Sequence, residues 1–286
     1  MSIEVNSLTH IYSSGTPYRS VALSDVSFTL QDREIVGIIG RTGSGKSTLL
    51  QHLNGLLKAT SGTVKVGDTE ITAPKTPLRE IRQRVGLVFQ YPEYQLFEET
   101  VAKDVAFGPM NLGLSKEETD RRVREALALV GLDYDEFAMR SPFELSGGQK
   151  RRVAIAGVVA MKPQVLILDE PTAGLDPKAR ADVIEMVRRI HESEGNTTIF
   201  VSHNMMDIAV LSDTVMVMHD GKLVRKGTPK EVFSAAEELE EMGLALPPAT
   251  AFLQKLRKEG FLEELSVAFT PEAAAGEVLR QLQREK

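Results

Sequence analysis

Apolar residues along this chain follow two patterns. Short, nearly unbroken apolar runs occur at 34–39, 85–89, 165–169, 197–201 and 215–218. They are rich in β-branched residues and bounded by glycine or polar residues, which predicts strands buried on both faces. The stretch Ala22–Leu30 instead alternates, as in a half-buried antiparallel strand. Residues 3–30 read as two strands around the loop Ser13-Ser14-Gly15-Thr16-Pro17, which Tyr12 and Tyr18 flank. Thr60-Ser61-Gly62 and 64–68 predict a turn, a short strand and another turn. Val215–Met218 and Leu223–Arg225 predict a hairpin across Asp220-Gly221.

Helical periodicity starts after residue 48 and dominates from about 100 to 160. Ser115-Lys116-Glu117-Glu118 predicts a capping box. Its helix sets Val123, Leu127 and Val130 on one face and stops at Gly131. Strands alternating with helices indicate an α/β domain with a largely parallel core sheet. Thr228-Pro229-Lys230-Glu231 combines an N-cap, proline at the first helical position and glutamate at the third. A glutamate-rich segment, the Pro247-Pro248 break, a helix with Phe252, Leu253 and Leu256, and a last helix from Thr270-Pro271 follow. The expected division is a main domain over 1–230 and a helical extension over 231–286. The extension is too small to bury a good core alone and should pack on the main domain or a partner.

Composition narrows the function. The 286 residues leave room for one large and one smaller domain. At 42% hydrophobic and 26% charged the chain is an ordinary globular one. A net charge of -6 disfavours a nucleic-acid partner. The absence of cysteine excludes disulfides, thiolate metal sites and a cysteine nucleophile. The first residues lack a signal-peptide layout, and the longest apolar stretch, Val153–Met161, is far short of a membrane span. Any link to a membrane is expected to run through a partner.

The chemistry centres on Gly40-Arg41-Thr42-Gly43-Ser44-Gly45-Lys46-Ser47, a G-x-x-x-x-G-K-S phosphate loop between a predicted strand and a helix that continues through Thr48. Its glycines let successive N–H groups face phosphate oxygens, and the helix N-terminus adds a favourable dipole. Lys46 is expected on the terminal phosphates and the Ser47 hydroxyl on Mg²⁺. A nucleotide hydrolase also needs acid at a second strand end, and Asp169-Glu170 supplies it. Asp169 is expected to help hold Mg²⁺ and Glu170 to activate the attacking water. Gln90 and His203 also end apolar strands. Parallel strands deliver those ends to one crevice, so Gln90, Asp169, Glu170 and His203 are expected to converge near the γ-phosphate. Leu145-Ser146-Gly147-Gly148-Gln149 places a glycine pair at a helix start, another anion-binding element. Tyr91, Tyr94, Leu96 and Phe97, with Glu93, Glu98 and Glu99 around them, suit a basic amphipathic partner helix. The competing expectation is that these aromatics fold into the helical region's own core.

Taken together, these motifs closely resemble the nucleotide-binding subunits of ABC transporters over roughly residues 1–230. The resemblance implies a P-loop NTPase of ABC type: a mixed, largely parallel core sheet, an antiparallel β subdomain and a helical subdomain at about 91–160. It makes Gly40–Ser47 the Walker A loop, Gln90 the centre of the Q-loop, and Leu145–Gln149 the signature. Asp169-Glu170 end Walker B, Ala173–Asp176 form the D-loop and His203 is the switch histidine. Two such subunits pack head to tail in that family. Each ATP then lies between one Walker A and the other subunit's signature, here Ser146, Gly147, Gly148 and Gln149, with Asp176 nearby. Gln90 joins Ser47 and Asp169 around Mg²⁺, and an aromatic, Tyr12 or alternatively Tyr18, stacks on adenine.

Residues 51–57, 89–97 and 150–157 and the helical tail resemble the ATPases of energy-coupling-factor transporters. Thr42 and the insertion at 15–18 are similar to the second of their two paralogous ATPases, and Arg41 stands where histidine is common. That implies a pairing with a homologous ATPase, either a paralogue or a second copy. It also implies a transmembrane coupling subunit docking near Tyr91–Glu99 and, indirectly, a membrane subunit capturing a vitamin or transition-metal ion. The place implied is the cytoplasmic face of the cell membrane. The alternatives are the ATPase of another ABC importer, or a soluble ABC-type ATPase acting on nucleic acid or ribosomes. Against the latter stand the acidic balance, the missing coiled-coil insert and the single ATPase domain.

Overall fold

The computed structural model describes residues 1–264 and 266–284. Its strands are β1 (Ile3–Tyr12), β2 (Ser20–Leu30), β3 (Ile35–Ile39), β4 (Ser61–Val66), β5 (Thr69–Glu70), β6 (Val85–Val88), β7 (Val165–Asp169), β8 (Thr197–Val201), β9 (Thr214–His219) and β10 (Lys222–Gly227). Its helices are α1 (Lys46–Leu53), α2 (Leu78–Arg84), α3 (Val101–Asn111), α4 (Lys116–Leu129), α5 (Tyr134–Phe137), α6 (Gly147–Val159), α7 (Pro177–Glu194), α8 (Met205–Leu211), α9 (Pro229–Ser234), α10 (Ala236–Glu241), α11 (Pro248–Lys258) and α12 (Pro271–Arg284).

The strands form two sheets, β2-β1-β4-β5 and β10-β9-β3-β8-β7-β6. The first is antiparallel. The second is parallel from β9 to β6, with β10 added antiparallel through the Asp220-Gly221 turn. Strand parity explains the unbroken apolar runs. Val36, Ile38, Val165, Ile167, Ile199 and Val201 face a core shared with the antiparallel sheet and with Leu49, Leu50 and Leu53 of α1. Ile35, Ile39, Leu166, Leu168 and Phe200 face a second core under the outer helices. A sheet covered on both sides needs apolar residues at every position.

Two local expectations change. Ser61 and Gly62, expected in a turn, open β4 where its register with β1 shifts. Gly62 has φ +87°, and a Cβ there would run into the Ser7 carbonyl, so the position needs glycine. Ser115 caps α4 through Glu118 N at 3.2 Å, but the box is one-sided. The Glu118 carboxylate turns to Arg121 and Arg122 instead. Reciprocal boxes form at Ser146/Gln149 and Thr228/Glu231.

The main core continues beyond residue 230. Val232, Phe233, Ala236 and Leu239 belong to it, as do Leu244 and Leu246. A separate small apolar cluster, with Ala249, Leu253, Leu262, Ala268 and Ala274, lies between α11 and α12. Among the described residues no helix is long and apolar enough to cross a membrane.

Candidate active site

The edge of the parallel sheet at the C-terminal ends of its strands carries the site. β3 ends at Ile39, and the loop 40–45 leads directly into α1. Gly43 and Gly45 have φ of +83° and +98°, values that strain any residue with a Cβ. At Gly45 a Cβ would also meet the Ala22 carbonyl of β2, so the antiparallel sheet closes over the loop. The cleft beneath measures about 410 Å³. Thr42, Gly43, Gly45, Lys46, Ser47 and Thr48 line it on one side, and Gln90, Glu170 and His203 on the other.

Lys46 is buried and donates from Nζ to the Gly40 and Arg41 carbonyls, at 2.7 and 3.0 Å. Burial pushes its pKa down, and Glu170 and Asp169 pull it back up. The Ser47 hydroxyl donates to Asp169 Oδ2 at 3.0 Å. Burial pushes the Asp169 carboxyl up, against the Ser47 bond and the charge of Lys46. Glu170 is the hinge of the arrangement. Its backbone has φ +52°, unusual for a side-chain-bearing residue, and its N–H is fixed to Val201 O at 3.0 Å. Its carboxylate takes His203 Nε2 on Oε1 at 2.6 Å and Gln90 Nε2 on Oε2 at 3.2 Å. Gln90, Asp169, Glu170 and His203 therefore meet as their strand ends predict.

Tyr12 lies at the mouth of the cleft, 41% exposed, with its OH 3.3 Å from Thr48 Oγ1. Tyr18, 85% exposed, is outside the lining. A buried histidine pair backs Tyr12. His10 sits edge-on to the Tyr12 ring at 4.4 Å, and His10 Nδ1 is 3.2 Å from His52 Nε2. His52 Nδ1 lies 2.7 Å from Thr48 O, an acceptor only, so that nitrogen carries hydrogen. Burial lowers the His52 pKa, against the pull of the Thr48 hydrogen bond.

A family model described as ABC transporter matches residues 23–173. The chain is 55% identical, over 100% of its length and 99% of the relative's, to the energy-coupling factor transporter ATP-binding protein EcfA2 of Caldanaerobacter subterraneus subsp. tengcongensis. It is 57% identical to the EcfA2 protein of Clostridioides difficile, over 91% of each. This chain belongs to the ABC transporter ATP-binding subunits. Within them it groups with the second energy-coupling factor ATPase, as its sequence resemblance implies. Among solved structures it is similar to cbiO1 of Clostridium perfringens, described as part of the ABC transporter complex cbiONQ. That match has a TM-score of 0.75 and 37% identity and covers 88% of this chain and 98% of the other. The dimeric MJ0796 cassette bound to ADP and Pi matches with a TM-score of 0.70 and 29% identity, over 79% of this chain and 98% of that one.

As an ABC ATPase, this subunit binds and hydrolyses ATP. Its signature lies apart from its own P-loop cleft, at the start of α6. Ser146 caps that helix while Gly147 and Gly148 are exposed, and Gln149 Oε1 accepts from Ser146 N at 3.0 Å. Asp176 caps α7 by accepting from Lys178 N and Ala179 N. Arg41 is exposed and lies across Gly243, beyond α10. Ser44 is buried in the loop, its hydroxyl without a partner among the described residues.

The Mg²⁺ that the family implies suits what is here. A hydroxyl and a buried carboxylate stand side by side at Ser47 and Asp169, with the Gln90 amide at the same cleft, and hard oxygen donors are what Mg²⁺ selects. Among the described residues no cluster of three or more His, Cys, Asp or Glu could hold a metal ion, and Mg²⁺ sites commonly use one or two carboxylates with waters and substrate phosphates.

Motif reading missed two elements: the histidine pair behind Tyr12 and a buried carboxylate, Asp207. Asp207 accepts from Thr172 Oγ1 at 3.0 Å and Ser202 Oγ at 3.4 Å. Its one sequence signal is an acid in the first turn of an otherwise apolar helix.

Proposed function

We propose that this chain is the ATP-hydrolysing subunit of an importer for a vitamin or a transition-metal ion, working in a pair with a homologous ATPase. The observation that carries the reading is Glu170. Its carboxylate is held between His203 and Gln90, beside Ser47 and Asp169, at the mouth of a glycine phosphate loop.

The reaction is ATP + H₂O → ADP + phosphate. Loop N–H groups and Lys46 hold the β- and γ-phosphates, and Tyr12 stacks on adenine. Ser47, Asp169 and Gln90 would hold Mg²⁺, which when bound would supply positive charge to the phosphate oxygens. Glu170 accepts the proton of the attacking water, and His203 keeps that carboxylate directed at the γ-phosphate. The signature residues Ser146, Gly147 and Gly148 complete the partner's site across a head-to-tail interface. Their distance from this chain's own cleft supports that division.

Attachment to the membrane runs through a coupling subunit that docks beside the Q-loop, at its cytoplasmic face. Tyr91, Tyr94, Phe97 and Phe107 are 42–85% exposed, whereas Leu96 turns into the core and Pro92 is buried. Of the exposed rings, Phe97 and Phe107 line a groove of about 440 Å³ between α2, α3 and α6, which Leu96 also lines. The acidic rim differs from expectation. Glu93 points inward to Arg151, leaving Glu98 and Glu99, while Arg79 and Arg82 line the far side. The groove thus offers apolar floor and charges of both signs.

The test is Ser146→Arg in the assembled transporter. ATP binding to this chain's P-loop should be retained, while ATP turnover falls at least by half and uptake stops. Wild-type turnover and uptake would remove the signature from the site.

A further inference from the structure

Arg151, the fifth residue of α6, is 4% exposed. A guanidinium keeps its charge in proteins, so burial demands a counter-charge and partners for its N–H groups. Arg151 has both. Nε and Nη2 grip the two oxygens of Glu93, at 3.1 and 2.8 Å. Nη1 donates to the Pro171 and Ala173 carbonyls, at 3.1 and 2.9 Å. Burial alone would push the Glu93 carboxyl up, and the Arg151 bonds outweigh that and hold it below its ordinary value.

One side chain therefore joins three pieces. Glu93 lies in the 3-10 turn Pro92–Gln95, three residues after Gln90. Arg151 stands on the helix that Ser146 caps. Pro171–Ala173 is the turn directly after Glu170. That turn is held from the other side as well, because Thr172 donates to Asp207, which also binds Ser202, the neighbour of His203. Glu170 sits at φ +52° just before a turn gripped on both flanks. A residue in such a conformation keeps its direction only while its surroundings impose it.

We propose that Arg151 is a positioning residue for hydrolysis: it ties the turn after Glu170 to the segment after Gln90 and to the signature helix. The orientation of the helical lobe then sets where the Glu170 carboxylate points. Arg151 is not part of the cleft lining, so its effect falls on turnover and not on ATP binding. The inference rests on Glu170 being the group that activates water.

The test compares Arg151→Lys and Glu93→Gln with wild type in the assembled transporter. Lysine keeps the charge but cannot make the forked bond and reach two carbonyls together. Glutamine keeps the shape of Glu93 and breaks the charged fork from the other end. The readouts are kcat and KM for ATP, binding of a fluorescent trinitrophenyl-ATP, and the melting midpoint. The expected result is a fall in kcat of at least tenfold in both variants, with KM and probe affinity within twofold and a cooperative melt retained. A folded Arg151→Lys complex with wild-type kcat would overturn the proposal. So would parallel loss of probe binding, turnover and the melt in both variants, since that marks a purely structural strut. A wild-type complex that does not hydrolyse ATP would overturn the functional reading itself, a result separable from either.

Discussion

Where the catalytic unit ends can be tested by cutting the chain at two places. Removing 247–286 takes away α11, α12 and their small cluster and, of the described residues packed against the main core, only the half-buried Val267 and Phe269. Removing 229–286 additionally takes Val232, Phe233 and Leu239 out of the main core, all 0% exposed. Burying a side chain of this size contributes about 1.5–3 kcal/mol, so the three together contribute about 5–9 kcal/mol. The whole stability of a domain is about 5–15 kcal/mol. The longer deletion should therefore approach or pass the point of unfolding, whereas 1–246 should stay folded. At about 2–4 °C per kcal/mol, the melting midpoint of 1–228 should lie more than about 10 °C below that of 1–246, or show no cooperative transition. The assay is thermal melting by circular dichroism, with trinitrophenyl-ATP binding as a check on the cleft. Equal midpoints, within a few degrees, would show that α9 and α10 contribute nothing to the core they occupy.

Three further outcomes follow from the site. Tyr12→Ala should weaken ATP binding by about 1–3 kcal/mol, about 5- to 150-fold, and Tyr18→Ala should leave it unchanged; the reverse order would transfer the adenine platform to Tyr18. Burial raises the Asp207 carboxyl above its ordinary 3.8, so the folded chain keeps that proton to higher pH than the unfolded one. Stability then falls as pH rises from 3.8 through the folded pKa, and Asp207→Asn removes that component. In urea titrations the variant should gain on wild type as pH rises above about 4, and a constant difference would contradict the assignment. Glu98→Lys with Glu99→Lys should abolish ATP-driven uptake while ATP binding persists; unchanged assembly and uptake would place the coupling subunit elsewhere.

Much of the site was legible in the sequence because its chemistry is carried by short local patterns. The phosphate loop needs glycines where φ is positive, and Gly43 and Gly45 have such values. Asp169, Glu170 and His203 were found because apolar runs mark parallel strands, whose ends share one edge. Contacts between segments distant in sequence were not legible. Glu93 read as a surface acid because nothing local shows Arg151, 58 residues later, meeting it. His10 and His52 lie 42 residues apart and are brought together only by packing α1 under β1. The end of the main core was hidden as well. Thr228-Pro229 is a true helix start, but a capped helix start says nothing about which core that helix joins. Glu118 shows the limit of a motif in the other direction, since two nearby arginines outbid the capping box for its carboxylate.

The central claim is that Glu170 activates the attacking water in an ATP site built on Gly40–Ser47. Glu170→Gln keeps the size and one acceptor oxygen of the side chain but loses its basicity. Steady-state hydrolysis and ATP binding should be measured on the same preparation of the assembled complex. The account predicts undiminished binding with turnover reduced about 10²–10⁴-fold, the usual contribution of a positioned base. Hydrolysis at the wild-type rate would contradict it.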